Sequence, residues 1–197
     1  MMALRILKWG CGSGGLLTTC IVLTFALVGL QSCGWQISNE WLPANDYDPS
    51  DATCDNAGVV YADNPFQGWP TNPANAINYH YCAADYFALF GRTHWGIDIN
   101  SYRGEPVFAT AHATVVWAYY DHTYGMGRTI KLCTATSWCA IYMHLDGFGV
   151  AVNQQVVPGQ WIGNADSTGF STGDHLHYQI EGPNGVPIDP FPAMVGG

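Results

Sequence analysis

Basic side chains are scarce in this sequence. Its 197 residues include only six lysines and arginines against 15 aspartates and glutamates, which gives a formal net charge of −9. Two of the six, Arg5 and Lys8, lie near the N-terminus, so the chain from residue 34 onward carries four basic and 15 acidic side chains. A surface this acidic repels phosphate backbones. We therefore predict that nucleic acid is not a partner.

The sequence also lacks an apolar run long enough for a full membrane span. The stretch over residues 16–30 follows Arg5 and Lys8, contains only threonines as polar residues, and is typical of an export signal. It ends in L-Q-S-C at residues 30–33, which resembles the lipobox of bacterial lipoproteins, whose cysteine is acylated. We predict a signal peptide or lipoprotein signal at residues 1–33. Lipidation at Cys33 with a membrane tether, simple cleavage to an extracellular protein, and an uncleaved anchor are the alternatives.

Cysteine use agrees with export. Three of the seven cysteines fall within residues 1–33, and the even number that remains fits two disulfides. Cys133 and Cys139 flank five residues between two strand-like runs, so a bridge across a hairpin is the simplest pairing. A Cys54–Cys82 bridge then follows by elimination. Free buried thiols in a reducing compartment are the alternative.

No segment carries a long amphipathic helical period. With 23 glycines, 11 prolines and 11% charged residues, the composition favours a chain with many turns. Residues 34–85 show no sustained period and are interpreted as a loop-rich N-terminal wrap. From residue 86 onward, strand-like runs recur between glycines and prolines: Phe87–Phe90, Trp95–Ile99, Val107–Ala109, Thr114–Tyr120, Thr129–Leu132, Ala140–His144, Gln160–Gly163 and His175–Ile180. The prediction is a mostly β fold, with one antiparallel sheet domain over residues 86–197.

Three short motifs carry histidines in informative positions. His175 and His177 are two apart, so on a strand both imidazoles point to one face. His94 and Asp98 are four apart and would share a strand face in the same way, a pairing that suits zinc. His144 ends a further strand-like run. A hydrogen bond between His94 and Asp98 that only orders a turn is the alternative to a metal site.

These motifs, in this order, resemble the lysostaphin-type or LytM-like zinc metalloendopeptidases. The three motifs are H-W-G-I-D-I from residue 94, Y-M-H-L from residue 142 and S-T-G-F-S-T-G-D-H-L-H-Y-Q-I from residue 167. The connecting segments G-E-P-V-F-A from residue 104 and G-Q-W-I-G from residue 159 are similar to the family's as well. The resemblance covers about residues 86–193.

The resemblance implies a sheet with a substrate groove, a zinc cofactor, and hydrolysis of peptide cross-links or bridges in bacterial peptidoglycan. By the family's pattern, His94, Asp98 and His177 would bind zinc, while His144 and His175 would perform acid–base catalysis. The sequence contains no H-E-x-x-H, so histidines would have to replace the glutamate base of that motif. We expect a monomer whose partners are peptidoglycan peptides.

Three other readings stay open at this point. Some relatives have lost metal ligands and regulate other wall hydrolases without catalysis. A β domain that stores zinc or binds carbohydrate would also carry the motifs without turnover. Finally, because some relatives have an N-terminal segment that covers the metal, residues 34–85 could keep an enzyme latent.

Overall fold

A computed structural model of the chain describes residues 54–196. The predicted export segment, Cys33 included, and residues 34–53 lie outside this range. Within the described range, neither helix has the length and apolar character that crossing a membrane requires.

The fold is built from two antiparallel sheets. The strands are β1 (Ile77–Tyr79), β2 (Ile97–Ile99), β3 (Pro106–Phe108), β4 (Ala113–Asp121), β5 (Gly127–Cys133), β6 (Cys139–Leu145), β7 (Gln155–Val156), β8 (Trp161–Asn164), β9 (Leu176–Glu181) and β10 (Pro187–Ile188). The larger sheet has eight strands in the order β1-β2-β9-β6-β5-β4-β7, with β10 paired to β9, and the smaller sheet pairs β3 with β8. The predicted mostly β, antiparallel fold class is confirmed.

Alternation along the strands separates a core face from a second face that carries polar groups. On β9, Leu176, Tyr178 and Ile180 are completely buried in the core. His177 points to the opposite face, where it is paired in register with Asp98 of β2 on one side and with Met143 of β6 on the other. The polar face of the central strands therefore carries two of the predicted metal ligands side by side.

The run Phe87–Phe90, predicted as a strand, is helical instead. It forms the end of α1 (Ala84–Phe90), which stops at Gly91, a residue with φ of 67°. Phe87 and Leu89 are 56% and 65% exposed, so these apolar side chains do not face the core. The run of four apolar residues thus misled the prediction, because local helix propensity and a glycine cap determine this segment. A second short helix, α2 (Phe191–Val195), ends the described chain.

The predicted strand Trp95–Ile99 is shorter than expected. Only Ile97–Ile99 pairs with β9, and the segment from His94 to Gly96 is irregular. Trp95 was expected on the core face with Ile97, but it is partly exposed and packs against Tyr81. His94 therefore reaches its position from a loop before the strand.

Two disulfides join the predicted cysteine pairs. Cys133–Cys139 closes the β5–β6 hairpin, where the two residues are also paired in register. Cys54–Cys82 fastens the segment before α1 to a 3-10 turn at Cys54–Asn56. Strand β1 lies in the predicted wrap and forms an edge of the large sheet beside β2.

Candidate metal and catalytic site

Three side chains converge on the polar face of the sheet. His94 Nε2 lies 3.0 Å from Asp98 Oδ1 and 3.0 Å from His177 Nδ1, and His177 Nδ1 lies 2.8 Å from Asp98 Oδ1. All three residues are buried, with between 1% and 8% of each surface exposed. The structure therefore brings the three predicted ligands into one triangle of nitrogen and oxygen atoms.

Backbone contacts fix His94 in this triangle. Its Nδ1 lies 2.9 Å from the carbonyl oxygen of His80, and its own carbonyl accepts a hydrogen bond from the N–H of Cys82 at 2.8 Å. The ring of Tyr86 stacks on the imidazole, with centroids 4.2 Å apart and planes 20° apart. All of these supports come from the segment that precedes the motif.

The proton positions that these contacts imply favour a cation at the triangle. A carbonyl oxygen can only accept, so His94 Nδ1 carries the proton and a neutral ring presents the lone pair of Nε2 to Asp98 Oδ1. Two acceptors 3.0 Å apart repel each other unless a positive charge is shared between them. Two imidazole nitrogens and one carboxylate oxygen form a donor set that zinc accepts, with a coordination position left for a further ligand. The residues present fit a zinc ion.

Electrostatics in the site support the same interpretation. Burial alone would raise the pKa of Asp98, but the adjoining imidazoles of His177 and His94 outweigh it and hold the pKa of this carboxyl well below its usual range. Burial lowers the pKa of His177. A carboxylate and a neutral imidazole are the forms in which both side chains bind a metal.

His144 and His175 lie next to each other beside the triangle. Their ring centroids are 4.6 Å apart, and His175 Nε2 lies 3.7 Å from Asp98 Oδ1. His144 Nδ1 lies 2.7 Å from the carbonyl oxygen of Thr168, and His175 Nδ1 lies 2.8 Å from that of Gly173. Each Nδ1 therefore donates to a backbone oxygen, so Nε2 is the nitrogen that is unprotonated whenever the ring is neutral.

His144 has an unusual backbone and an unusual pKa. Its φ of 63° is in the left-handed region, which non-glycine residues rarely occupy. Its side chain is buried, and burial, followed by the neighbouring His175 and His177, lowers its pKa to about 3. The ring is therefore neutral at physiological pH.

A cavity of about 310 Å³ opens over these residues. Its lining includes Asp98, His144 and His175. A wall of aromatic rings (Tyr79, Tyr86, Phe90 and Phe170) stands on one side of it. Phe90 and Phe170 contact each other with ring centroids 6.1 Å apart, which connects α1 to the loop before β9. The site is thus an open groove with an aromatic rim.

Two functional features were not singled out from the sequence. A Cβ at Gly96 would lie 2.5 Å from the carbonyl oxygen of Tyr178 and 2.7 Å from His177 Nε2, so only glycine fits there. Thr168 accepts from His144 through its carbonyl, and its hydroxyl donates to Leu145. Both residues stand inside the quoted motifs, which was the available signal for their roles.

The three remaining histidines lie away from the triangle. The ring of His80 packs against Phe191, and the ring of His122 packs against Tyr120. His112 is exposed. The side chain of His80 is thus not part of the group formed by the three predicted ligands, although its backbone carbonyl supports His94.

Comparison with known families agrees with this geometry. The profile of peptidase family M23 matches residues 92–190, half of the chain. The chain belongs to peptidase family M23.

The M23 segment is similar to several characterised proteins. It is 38% identical to the glycyl-glycine endopeptidase ALE-1 of Staphylococcus capitis over 53% of this chain and 30% of the relative. It is 36% identical to the DD-carboxypeptidase/endopeptidase Mpg of Neisseria meningitidis over 50% of this chain and 22% of the relative. A zinc containing peptidase from Vibrio cholerae has a similar structure, with a TM-score of 0.57, 30% identity, and coverage of 64% of this chain and 39% of that one. The chain thus spans less than a third of the length of these curated relatives.

Part of the site lies outside the M23 match. The carbonyl of His80, the rings of Tyr79 and Tyr86, and the disulfide at Cys82 all precede residue 92. In this M23 protein, the preceding segment therefore supports one predicted ligand and forms a wall of the groove.

Proposed function

We propose that this chain is a zinc-dependent endopeptidase that hydrolyses peptide cross-links or bridges of bacterial peptidoglycan. The observation that carries the proposal is the convergence of His94 Nε2, Asp98 Oδ1 and His177 Nδ1 beside the imidazoles of His144 and His175. Three ligands with one open position are typical of catalytic zinc sites.

In this proposal, His94, Asp98 and His177 hold the metal. When bound, zinc supplies Lewis acidity that polarises the scissile carbonyl and lowers the pKa of a water molecule. His144 and His175 move protons at Nε2, because each Nδ1 is already donated to a backbone carbonyl. One imidazole takes a proton from the attacking water, and the protonated ring then donates it to the departing amine. The other, when protonated, stabilises negative charge on the carbonyl oxygen.

Relatives support the substrate class. ALE-1 is named as a glycyl-glycine endopeptidase and Mpg as a DD-carboxypeptidase/endopeptidase, and both are similar to the part of this chain that contains the site. We infer an exported enzyme, because its substrate lies outside the cytoplasm and the sequence begins with a predicted signal. Attachment through a lipidated Cys33 remains a proposal of the same kind.

Purified protein should release soluble peptides from bacterial sacculi, and mass spectrometry of the new termini should identify the bond. His94→Ala should abolish both zinc uptake and release. His144→Ala and His175→Ala should each lower the rate by about 10²- to 10⁴-fold while zinc content stays at the wild-type level. Release that survives His94→Ala or a zinc chelator would refute the catalytic proposal. Binding to sacculi without release would favour the regulatory alternative.

A further inference from the structure

The described chain contains four basic side chains, and their surroundings differ. Arg103 lies 2.8 Å from Asp166 and 3.4 Å from Asp174, and buried Lys131 lies 2.6 Å from Glu181. Among residues 54–196, the ion pairs include neither Arg92 nor Arg128, whose guanidinium groups lie over aromatic rings. Arg128 lies 5.6 Å from the ring centroid of Tyr120, and Arg92 lies 4.6 Å from that of Phe170.

Arg92 lies over one of the residues that form the wall of the groove. Both Phe170, beneath its guanidinium, and Tyr86 line the cavity that contains His144 and His175. The Arg92 guanidinium also faces the hydroxyl of Tyr86. Arg92 itself is exposed. Its charge is therefore available at the rim of the groove.

The local fold holds the platform under Arg92 in place. The N–H of Phe170 donates to the carbonyl of Gly125 at 2.7 Å. A Cβ at Gly169 would lie 2.4 Å from the backbone nitrogen of Gly127, so the loop packs directly against the β4–β5 hairpin. On the other side, Gly91 ends α1 with its N–H bound to the carbonyl of Phe87 at 2.8 Å, which directs the next residue toward Phe170.

A guanidinium stacked on a ring has five N–H groups in its plane, so Arg92 keeps further donors beside the one that faces the Tyr86 hydroxyl. Those donors match the two oxygens of a carboxylate, and such charge-assisted pairs are stronger than neutral hydrogen bonds. Asp174, which also lines the groove, is already paired with Arg103. In a protein with a strong excess of acidic residues, the Arg92 side of the rim is therefore the place where an anionic group is attracted rather than repelled.

We propose that Arg92 is a specificity-determining residue that binds a free carboxylate of the substrate peptide near the scissile bond. The inference rests on the proposed function and narrows it. Stem-peptide cross-links carry free carboxylates close to the bonds that are cut, whereas residues within a glycine bridge carry none. The charge of Arg92 thus favours stem peptides with free carboxylates as the substrate.

Two synthetic cross-linked peptides test this inference, one with free carboxylates and one with those carboxylates amidated. Wild-type protein should hydrolyse the free form with the lower KM. Arg92→Gln should raise the KM for the free form by about tenfold, the value of one charge-assisted hydrogen bond, and leave the amidated form unchanged. Arg92→Lys should recover part of the loss, because an ammonium keeps the charge without the planar fork.

Arg128→Gln is the matched control, since it removes an arginine that lies over Tyr120, a ring that does not line the cavity. It should leave both KM values unchanged. Equal losses on both peptides in Arg92→Gln would mean that Arg92 only supports the groove wall, and no loss on either would mean that it contacts no substrate. Both results overturn the inference.

Peptide affinity separates this inference from the proposed function. Calorimetry should show that the hydrolysis-deficient His144→Ala protein binds the peptide with free carboxylates more tightly than the amidated peptide. Adding Arg92→Gln to His144→Ala should remove this preference. A preference that depends on Arg92, together with wild-type protein that hydrolyses neither peptide, would sink the proposed function and support the inference. Hydrolysis of both peptides by the wild-type protein with equal KM values would support the proposed function and overturn the inference about Arg92.

Discussion

At the scale of single residues, Gly96 lies where the backbone passes directly against the ring of His177. A methyl group there would come within 2.5 Å of the Tyr178 carbonyl oxygen and 2.7 Å of His177 Nε2. Since buried backbone on β9 cannot yield easily, we expect Gly96→Ala to displace His177, to weaken zinc binding by tenfold or more, and to lower the free energy of unfolding by about 1–3 kcal/mol. Competition with a chelating dye and urea titration measure the two effects.

Gly147→Ala provides the control for that substitution. A Cβ at Gly147 meets nothing within 4 Å, so the same chemical change is made without a contact. Zinc affinity and stability should both stay near wild type. If Gly96→Ala bound zinc as tightly as Gly147→Ala, the close approach of Gly96 to His177 would have no functional role.

His144 gives a prediction on pH at the same scale. Its pKa is lowered from 6.5 to about 3, mainly by burial, so in this range the unfolded chain takes up a proton that the folded chain refuses. The stability of the metal-free protein should therefore fall as pH decreases from 6.5 toward 3. One such group contributes at most about 1.4 kcal/mol per pH unit.

Urea titrations of metal-free wild type and His144→Gln between pH 6 and pH 4 measure this contribution. The burial of His177 produces a slope of the same sign in both proteins, so the difference between them isolates His144. We expect a shallower dependence in His144→Gln. Parallel curves would show that the His144 ring accepts a proton in the folded state at its ordinary pKa.

At the scale of elements, the segment before the M23 match supports the candidate metal site. Cys82 donates its N–H to the carbonyl of His94, the carbonyl of His80 accepts from His94 Nδ1, and the Cys54–Cys82 disulfide fastens this segment. We therefore expect the double change Cys54→Ser and Cys82→Ser to weaken zinc binding as well as to destabilise the fold. On the chain-entropy estimate, the lost stability is about 3.5 kcal/mol.

The other disulfide is the matched control. Cys133–Cys139 closes a short hairpin loop, and its removal should cost about 2 kcal/mol without affecting zinc affinity. Equal zinc affinities in both double variants would refute a supporting role for the segment.

The contacts of this segment with His94 also bear on latency, because removing residues 34–85 would take away the His80 carbonyl that fixes a predicted ligand. We expect that truncation to lower metal affinity rather than to release an inhibited enzyme.

Strands of the sheet could be predicted where the alternation of apolar and polar residues in the sequence matches the alternation of buried and polar faces in the fold. β9 is an example, because its alternate residues Leu176, Tyr178 and Ile180 are fully buried and His177 faces the other side. Phe87–Phe90 was predicted wrongly, since an exposed helix ended by glycine has no buried face to mark its period. The contribution of β1 was also missed, because three residues of edge strand carry too little pattern to distinguish them from a loop.

At the scale of the whole molecule, the candidate site combines residues that are distant in sequence. The side chains could be proposed from H-W-G-I-D and H-L-H, because each motif is ambiguous alone but their order and spacing together resemble those of a known family. The backbone acceptors from His80, Thr168 and Gly173 could not, since every residue has a carbonyl and only the fold determines which one faces a histidine. Tautomers that determine the chemistry are therefore set by tertiary structure.

Removal of the metal should lower the stability of the whole molecule. An ion held by His94, Asp98 and His177 would join the loop before β2 to β2 and β9, so it should stabilise the folded state as a whole. At free zinc of 100 times the Kd, linkage gives about 2.7 kcal/mol, which calorimetry would record as a lower Tm after chelation. Asp98→Ala should show no zinc-dependent shift, and His144→Ala should keep the full shift. Loss of the shift in His144→Ala as well would make His144 a ligand, and the division between metal-binding and proton-moving histidines would have to be redrawn.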